Sequence, residues 1–168
     1  MEFNKRIKDW IDPTKILKAE LLYRLSENGE EVSTFHKLCD HKGPTLILFK
    51  IESENLVGIF TPLSWDSGSD WKNDIDTFIF NLTKNQKYKK LKSENSIYCK
   101  ISHGPFTINF GCRDSMKSFY FGGKAINEHY NNAGEILLNE FSLSLLSHLN
   151  IKRHYDIYEL EVFKITKE

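Results

Sequence analysis

LLYRLSENGEEVSTFHKLCDHKGPTLILFKI, residues 21–51, sets a short helix directly beside a strand with two apolar faces. Asn28-Gly29 is a turn signal. From Glu31 to Cys39 the side chains Val32, Phe35, His36 and Cys39 recur at the spacing of one helix face, which predicts a short helix. Gly43-Pro44 ends it. Thr45 to Ile51 then alternates with no polar side: Leu46 and Leu48 point one way, Ile47, Phe49 and Ile51 the other. A strand of that kind must be covered on both faces. The helix and strand together form a nucleus against which the other segments can pack.

On the N-terminal side, Asp12-Pro13 places an N-cap acceptor before a proline. Ile16, Leu17 and Leu21 follow at helical spacing, so a helix is expected from about residue 13 into the early twenties. On the C-terminal side, Val57-Gly58-Ile59-Phe60-Thr61 reads as the hairpin partner of the buried strand, with Gly58 open to a bulge or to close approach of another backbone. Residues 62–74 are loop chemistry carrying Trp65 and Trp71. Ile75 to Leu82 alternates as a strand with Phe78, Phe80 and Leu82 on one face. Lys84 to Asn95 has the composition of a solvated connection. Ser96 to Ile101, Pro105 to Phe110 and Ser118 to Phe121 read as further strands, with Phe106, Ile108 and Phe110 inward in the second. A Gly/Asn loop runs to Ala133. Glu135 to Asn150 reads as helix in its second half, and Tyr155 to Thr166 as a closing strand.

The 168 residues suit one domain, 1–168, with 40% hydrophobic content and 12 Phe. Many antiparallel-type strands with a few helices give an α+β fold whose natural arrangement is a two-sheet antiparallel β-sandwich flanked by short helices. Lys and Arg total 23 and Asp and Glu total 23, so no overall charge argues for nucleic acid or for an acidic membrane surface. The three cysteines, Cys39, Cys99 and Cys112, are odd in number with no CxxC, and the N-terminus has no apolar signal core. A cytoplasmic, reducing setting is expected. No apolar run approaches the roughly 18 residues that span a bilayer, so no direct membrane insertion is expected.

The quoted stretch resembles the TLDc domain family. The resemblance rests on Tyr23, Arg24 and Ser26, the Glu27-Asn28-Gly29 turn, Phe35-His36-x-x-Cys39-Asp40, and Gly43-Pro44-Thr45-Leu46 before an apolar strand. Gly58, Phe60, Thr61 and Trp65 resemble its glycine-aromatic-threonine then tryptophan pattern. Asp74 before the Phe78–Leu82 strand, Gly104-Pro105 and Glu159-x-Glu161-Val162-Phe163 extend the likeness from about Asp12 to Ile165. In two places the chain departs from the pattern: Phe110-Gly111 is displaced from Gly104-Pro105, and the first aromatic-Gly-Gly-Tyr is reduced to Val57-Gly58-Ile59-Phe60. Both fall near loops, where they bear on partner contacts more than on the fold.

Several side chains could carry chemistry. His36, Cys39 and His41 crowd three potential zinc ligands into six residues, but a closed site needs four and no second cluster lies at a usual spacing, so no metal is expected. Cys112 beside Arg113 could be a thiolate nucleophile; the alternative is a half-buried strand-end cysteine. Ser26, His36 and Asp40 could form a triad, although no nucleophile-elbow glycines surround Ser26. In the last strand Tyr155, Ile157, Glu159, Glu161, Phe163 and Ile165 fall in one alternation class. Two carboxylates then share a face with apolar ends, where they must pair with a cation such as Arg24 or Arg113 unless they face water or do acid–base work. Lys84, Lys87, Lys89, Lys90 and Lys92 read as a solvated hairpin tip and not as a nucleic-acid reader. Trp65 and Trp71 are candidate partner-binding residues, against the alternative that they fold back over the domain.

No residue set here makes a convincing catalytic constellation, so function rests on the resemblance. It implies a non-enzymatic protein-interaction domain, monomeric and without cofactor, linked to oxidative stress resistance and to binding the peripheral subunits of the vacuolar proton-pumping ATPase (V-ATPase) and regulating its assembly. The alternative is a hydrolase or peroxide-directed thiol enzyme using Cys112 or the His36, Glu159, Glu161 set.

Overall fold

The buried apolar side chains among the described residues gather in two clusters, a larger and a smaller, about one large antiparallel sheet. The structure, a computed structural model, describes residues 5–52, 55–68, 70–107, 110–121, 130–131 and 154–168. It runs α1 (Lys5–Ile11), β1 (Leu17–Arg24), α2 (Leu25–Asn28), α3 (Val32–Cys39), β2 (Thr45–Ile51), β3 (Leu56–Thr61), β4 (Trp71–Lys72), β5 (Phe78–Asn81) and β6 (Gln86–Lys90). It continues with β7 (Ile97–Tyr98), β8 (Phe106–Thr107), β9 (Phe110–Cys112), β10 (Ser118–Phe121), β11 (Tyr130–Asn131) and β12 (His154–Lys167). The main sheet has the order β11-β6-β5-β3-β2-β12-β10-β9-β8, with β1 added on β12. β4 and β7 make a small second sheet.

β2 is doubly covered, as its alternation requires. Ile47, Phe49 and Ile51 lie in the larger core with Tyr23, Phe35 and Trp65. Leu46 lies in the smaller one with Phe60, Phe78, Phe80 and Phe163, against which Trp10 and Ile11 of α1 pack. Each fully buried aromatic or aliphatic side chain contributes about 1.5–3 kcal/mol by leaving water. The β8–β10 arm lies over the larger core, where Phe110 and Phe119 stand 6.4 and 5.1 Å from Phe49 between ring centroids. At Gly58 the ring of Phe80 on the facing strand occupies the space where a side chain would be. Of the two uses its place in the strand left open, a bulge or close approach, the glycine serves close approach.

Several elements differ from the sequence-based expectations. The expected helix after Asp12 is strand β1, and helix α1 lies before Asp12 instead. Asp12 Oδ1 accepts from the Thr14 N–H and hydroxyl, closing a local turn and not a helix cap. Residues 17–24 then pair with β12 from Leu17–Lys167 to Arg24–Glu161. The expected solvated connection contains β6, whose Gln86, Tyr88 and Lys90 are buried. Lysine is tolerated there because its stem packs while its ammonium finds acceptors: Lys90 Nζ donates to the Glu94 carbonyl at 2.6 Å.

The strand expected from Ile75 starts at Phe78, since the Asp74 carboxylate first accepts from the Asp76 and Thr77 N–H groups. The strand expected over residues 105–110 is instead a hairpin of β8 and β9. Within β9, Gly111 lies opposite Phe106 at φ +121°, and a Cβ there would lie 2.3 Å from the Pro105 carbonyl oxygen, so the strand comes closer there than a side chain would allow. Ile108 and the expected helix in 135–150 lie outside the described residues.

β12 joins the fold, pairing in turn with β10, β2 and β1. Its register shifts between Ile157 and Glu159, a bulge that moves every later side chain to the opposite face. Tyr155 and Ile157 therefore share the larger core with Leu160 and Val162, while Phe163 and Ile165 enter the smaller one. The uninterrupted alternation read from the sequence is corrected by that bulge.

Candidate functional site

The candidate residues fall into three places. The first is the end of α3. Four residues apart on the helix, His36 and Asp40 face each other, with Nδ1 2.8 Å from Asp40 Oδ1. Nε2 lies 2.8 Å from the His103 carbonyl oxygen, which only accepts, so Nε2 carries a proton toward it. The Ser67 hydroxyl donates to Asp40 Oδ2 at 2.6 Å. Ser67, and not Ser26, therefore reaches the aspartate, and it does so on the side away from the imidazole. The chain of contacts is Ser67, Asp40, His36, His103 carbonyl. In a hydrolytic triad the histidine stands between serine and aspartate; here the aspartate does, and no ring nitrogen is turned toward a nucleophile.

The same place holds Trp65, which is 0% exposed. Its Nε1–H donates to Thr45 Oγ1 at 2.9 Å, its ring meets Phe35 edge-on at 5.5 Å, and its carbonyl accepts from the His41 N–H at 2.9 Å. As a partner-binding candidate Trp65 is thus corrected: a large ring with a satisfied N–H gains more in the core than in water. Trp71 is half-buried, its ring tilted against Tyr98 of the small sheet at 4.9 Å and against Phe106 of β8 at 6.4 Å.

The second place is the end of β1. Arg24 lies opposite Glu161 and pairs with it, Nη2 to Oε1 at 2.8 Å, and also holds Glu27 at 2.6 Å. Arg113 does not join them; its guanidinium lies over Phe106 and Tyr120, 5.7 and 5.1 Å from their centroids. Glu159 Oε1 accepts from the Ser26 N–H at 3.2 Å and the Leu160 N–H at 3.0 Å. Partial burial works to raise its pKa, but the bonds from Ser26 and Leu160 and the nearby Arg24 outweigh it, and the carboxyl is held below its ordinary value. Glu159 is thus held as a hydrogen-bond acceptor within the fold, and Glu161 is the ion-pair partner of Arg24.

The third place is the cysteines. Cys112 is fully buried and its thiol donates to the Met116 carbonyl at 3.7 Å. Burial pushes that thiol well above its ordinary value, raises Cys39 likewise, and takes Cys99 up to about 11. Cys112 is therefore a buried thiol and not the half-buried one weighed from sequence. Its neighbour Arg113 points to the aromatic rings instead. No group of three or more potential metal ligands gathers among the described residues.

Sequence reading missed the partners Ser67 and His103, and also a groove where Lys87, Lys89 and Lys167 surround Trp10, Phe60 and Phe78. The signal for the groove was present in the Lys87-x-Lys89 alternation. The composition of residues 84–95, which reads as a solvated connection, hides it, because only the strand pairing of β6 turns these lysines toward Trp10.

The architecture is that of a mostly antiparallel β domain whose buried polar groups tie loops to the sheet. The model of the TLDc domain matches residues 2–166, nearly the whole chain, and the protein belongs to that family. No curated protein matches it. No helix among the described residues is long and apolar enough to cross a membrane.

Proposed function

We propose that this TLDc domain is a non-enzymatic protein-interaction module that acts in resistance to oxidative stress by binding peripheral subunits of the V-ATPase and regulating their assembly. In this reading its layers form a sandwich with α1 and α3 at its flanks, and it works as a cytoplasmic monomer. The observation that carries the reading is the use already made of each candidate catalytic group. His36 is held between Asp40 and the His103 carbonyl, Glu161 is held by Arg24, and Cys112 is buried with its thiol on a carbonyl. Each holds one segment to another, and the three sets do not converge on one cleft. What remains for recognition is surface, including the outer part of Trp71.

Affinity capture from a cytosolic extract tests the proposal. The tagged chain is expected to retain V-ATPase peripheral subunits and to lose them several-fold on Trp71→Ala. In cells under peroxide, Glu161→Gln is expected to keep the protective effect. Loss of protection in a folded Glu161→Gln variant, or capture that never contains the pump subunits, would overturn it.

A further inference from the structure

A cavity of about 500 Å³ opens between α1, the start of β5, β6 and the chain's last strand. That size lies within the roughly 300–1,000 Å³ of ligand-binding clefts. Trp10, Phe60 and Phe78 give it apolar walls, and Ile75 stands on its lip 52% exposed. Four lysines line it, Lys87, Lys89, Lys90 and Lys167, against one carboxylate, Asp76, among the described lining residues. The whole chain carries equal numbers of positive and negative side chains, so this is a local concentration.

The lysines divide by role. Lys90 turns its ammonium to the Glu94 and Asn95 carbonyls. Lys87 donates to the Trp10 carbonyl at 2.7 Å, capping the end of α1, and lies 4.1 Å from the Phe78 centroid. Burial, with Lys89 nearby, lowers its pKa to about 8, and an anion brought close would favour its charged form. Lys89 is exposed, and Lys167 is exposed with Asp12 at 3.6 Å.

We propose that this groove binds an acidic linear segment of a partner protein, with an apolar side chain seated between Trp10, Phe60 and Phe78 and flanking carboxylates on Lys89 and Lys167. Charge complementarity selects the anion, and the aromatic floor selects a peptide with an apolar residue over a bare phosphate chain. Nucleic acid fits less well, since the domain has no net positive charge to extend the contact along a backbone. The proposal deepens the interaction reading and rests on it.

The test is selection of a random dodecapeptide library on the full chain, followed by titration of the enriched peptides. Sequences with two or more Asp or Glu beside Leu or an aromatic are expected, and they should change Trp10 emission. The Lys89→Glu, Lys167→Glu double variant should weaken them at least tenfold, the corresponding Gln variant less, and Lys37→Glu, outside the groove, not at all. Both groove positions are exposed, so the variants should keep the wild-type circular dichroism spectrum. The proposal is overturned if no acidic peptide is enriched, if binders ignore the double variant, or if a single-stranded RNA dodecamer binds as tightly. Pump subunits captured equally by the double variant would overturn the groove as contact while leaving the interaction reading intact. Groove-dependent peptide binding without capture of the pump would support the groove and fail only the choice of partner.

Discussion

A Cβ at Gly58 would stand 2.3 Å from the Ile47 carbonyl oxygen and 2.3 Å from the Phe80 ring, distances no relaxed side chain tolerates. Gly58→Ala is therefore expected to cost about 2–3 kcal/mol in urea unfolding, and trimming the ring with Phe80→Leu should not restore it because the carbonyl remains. Trp65 makes the complementary case. Trp65→Phe keeps an aromatic ring but removes the pyrrole half of the indole and leaves Thr45 Oγ1 without its donor, and should cost about 1–3 kcal/mol in the same measurement, with capture of partners unchanged. A normal Trp65→Phe midpoint would show that the bond to Thr45 adds nothing. Residue types at both positions were partly legible in the sequence: glycine mid-strand left a bulge or close approach open, and tryptophan among small polar residues pointed either to a partner or back over the domain. Which way the tryptophan pointed was not legible, because loop composition carries no direction.

Elements here are set as much by pairing as by propensity. In β12 the bulge between Ile157 and Glu159 puts Tyr155 and Ile157 on the same face as Leu160 and Val162. Deleting Tyr158 would remove the extra residue and leave Tyr155, Ile157, Leu160 and Val162 on one face by plain alternation, in unbroken register with β2. Cooperative unfolding by circular dichroism is therefore expected to survive the deletion, and Tyr158→Ala, at an exposed position, should be near neutral; loss of cooperativity in the deletion variant would show that the bulge itself is required. The end of the same bulge binds Glu159, whose folded pKa is held below its ordinary 4.5. A lowered acid stabilises the fold above its unfolded pKa and loses that contribution as pH falls through the folded one. The gap in melting temperature between wild type and Glu159→Gln should thus be open at pH 7 and close as pH drops below about 4.5. A gap independent of pH would remove the carboxylate from the account.

At the level of the whole molecule, burial of Cys39, Cys99 and Cys112 in one core makes thiol reactivity a measure of opening. A disulfide reagent such as dithionitrobenzoate is expected to find almost no thiol in the native chain and all three in urea, with labelling that follows global unfolding. Fast native labelling of Cys112 would revive the thiol-enzyme alternative. Local periodicity by itself determined α3, the doubly covered β2, its hairpin partner β3 and the existence of a closing strand, since side chains within a few residues of one another carry that information. It also supplied the motifs that placed the chain in its family. Only the tertiary structure decided that residues 17–24 form a strand, that lysines of β6 can be buried, and that Glu161 belongs to Arg24, 137 residues away. The physical reason is that a strand is completed by hydrogen-bond partners on another strand, and a buried charge by a distant counter-charge. Neither partner is present in the local window from which a helix or an alternating pattern is read.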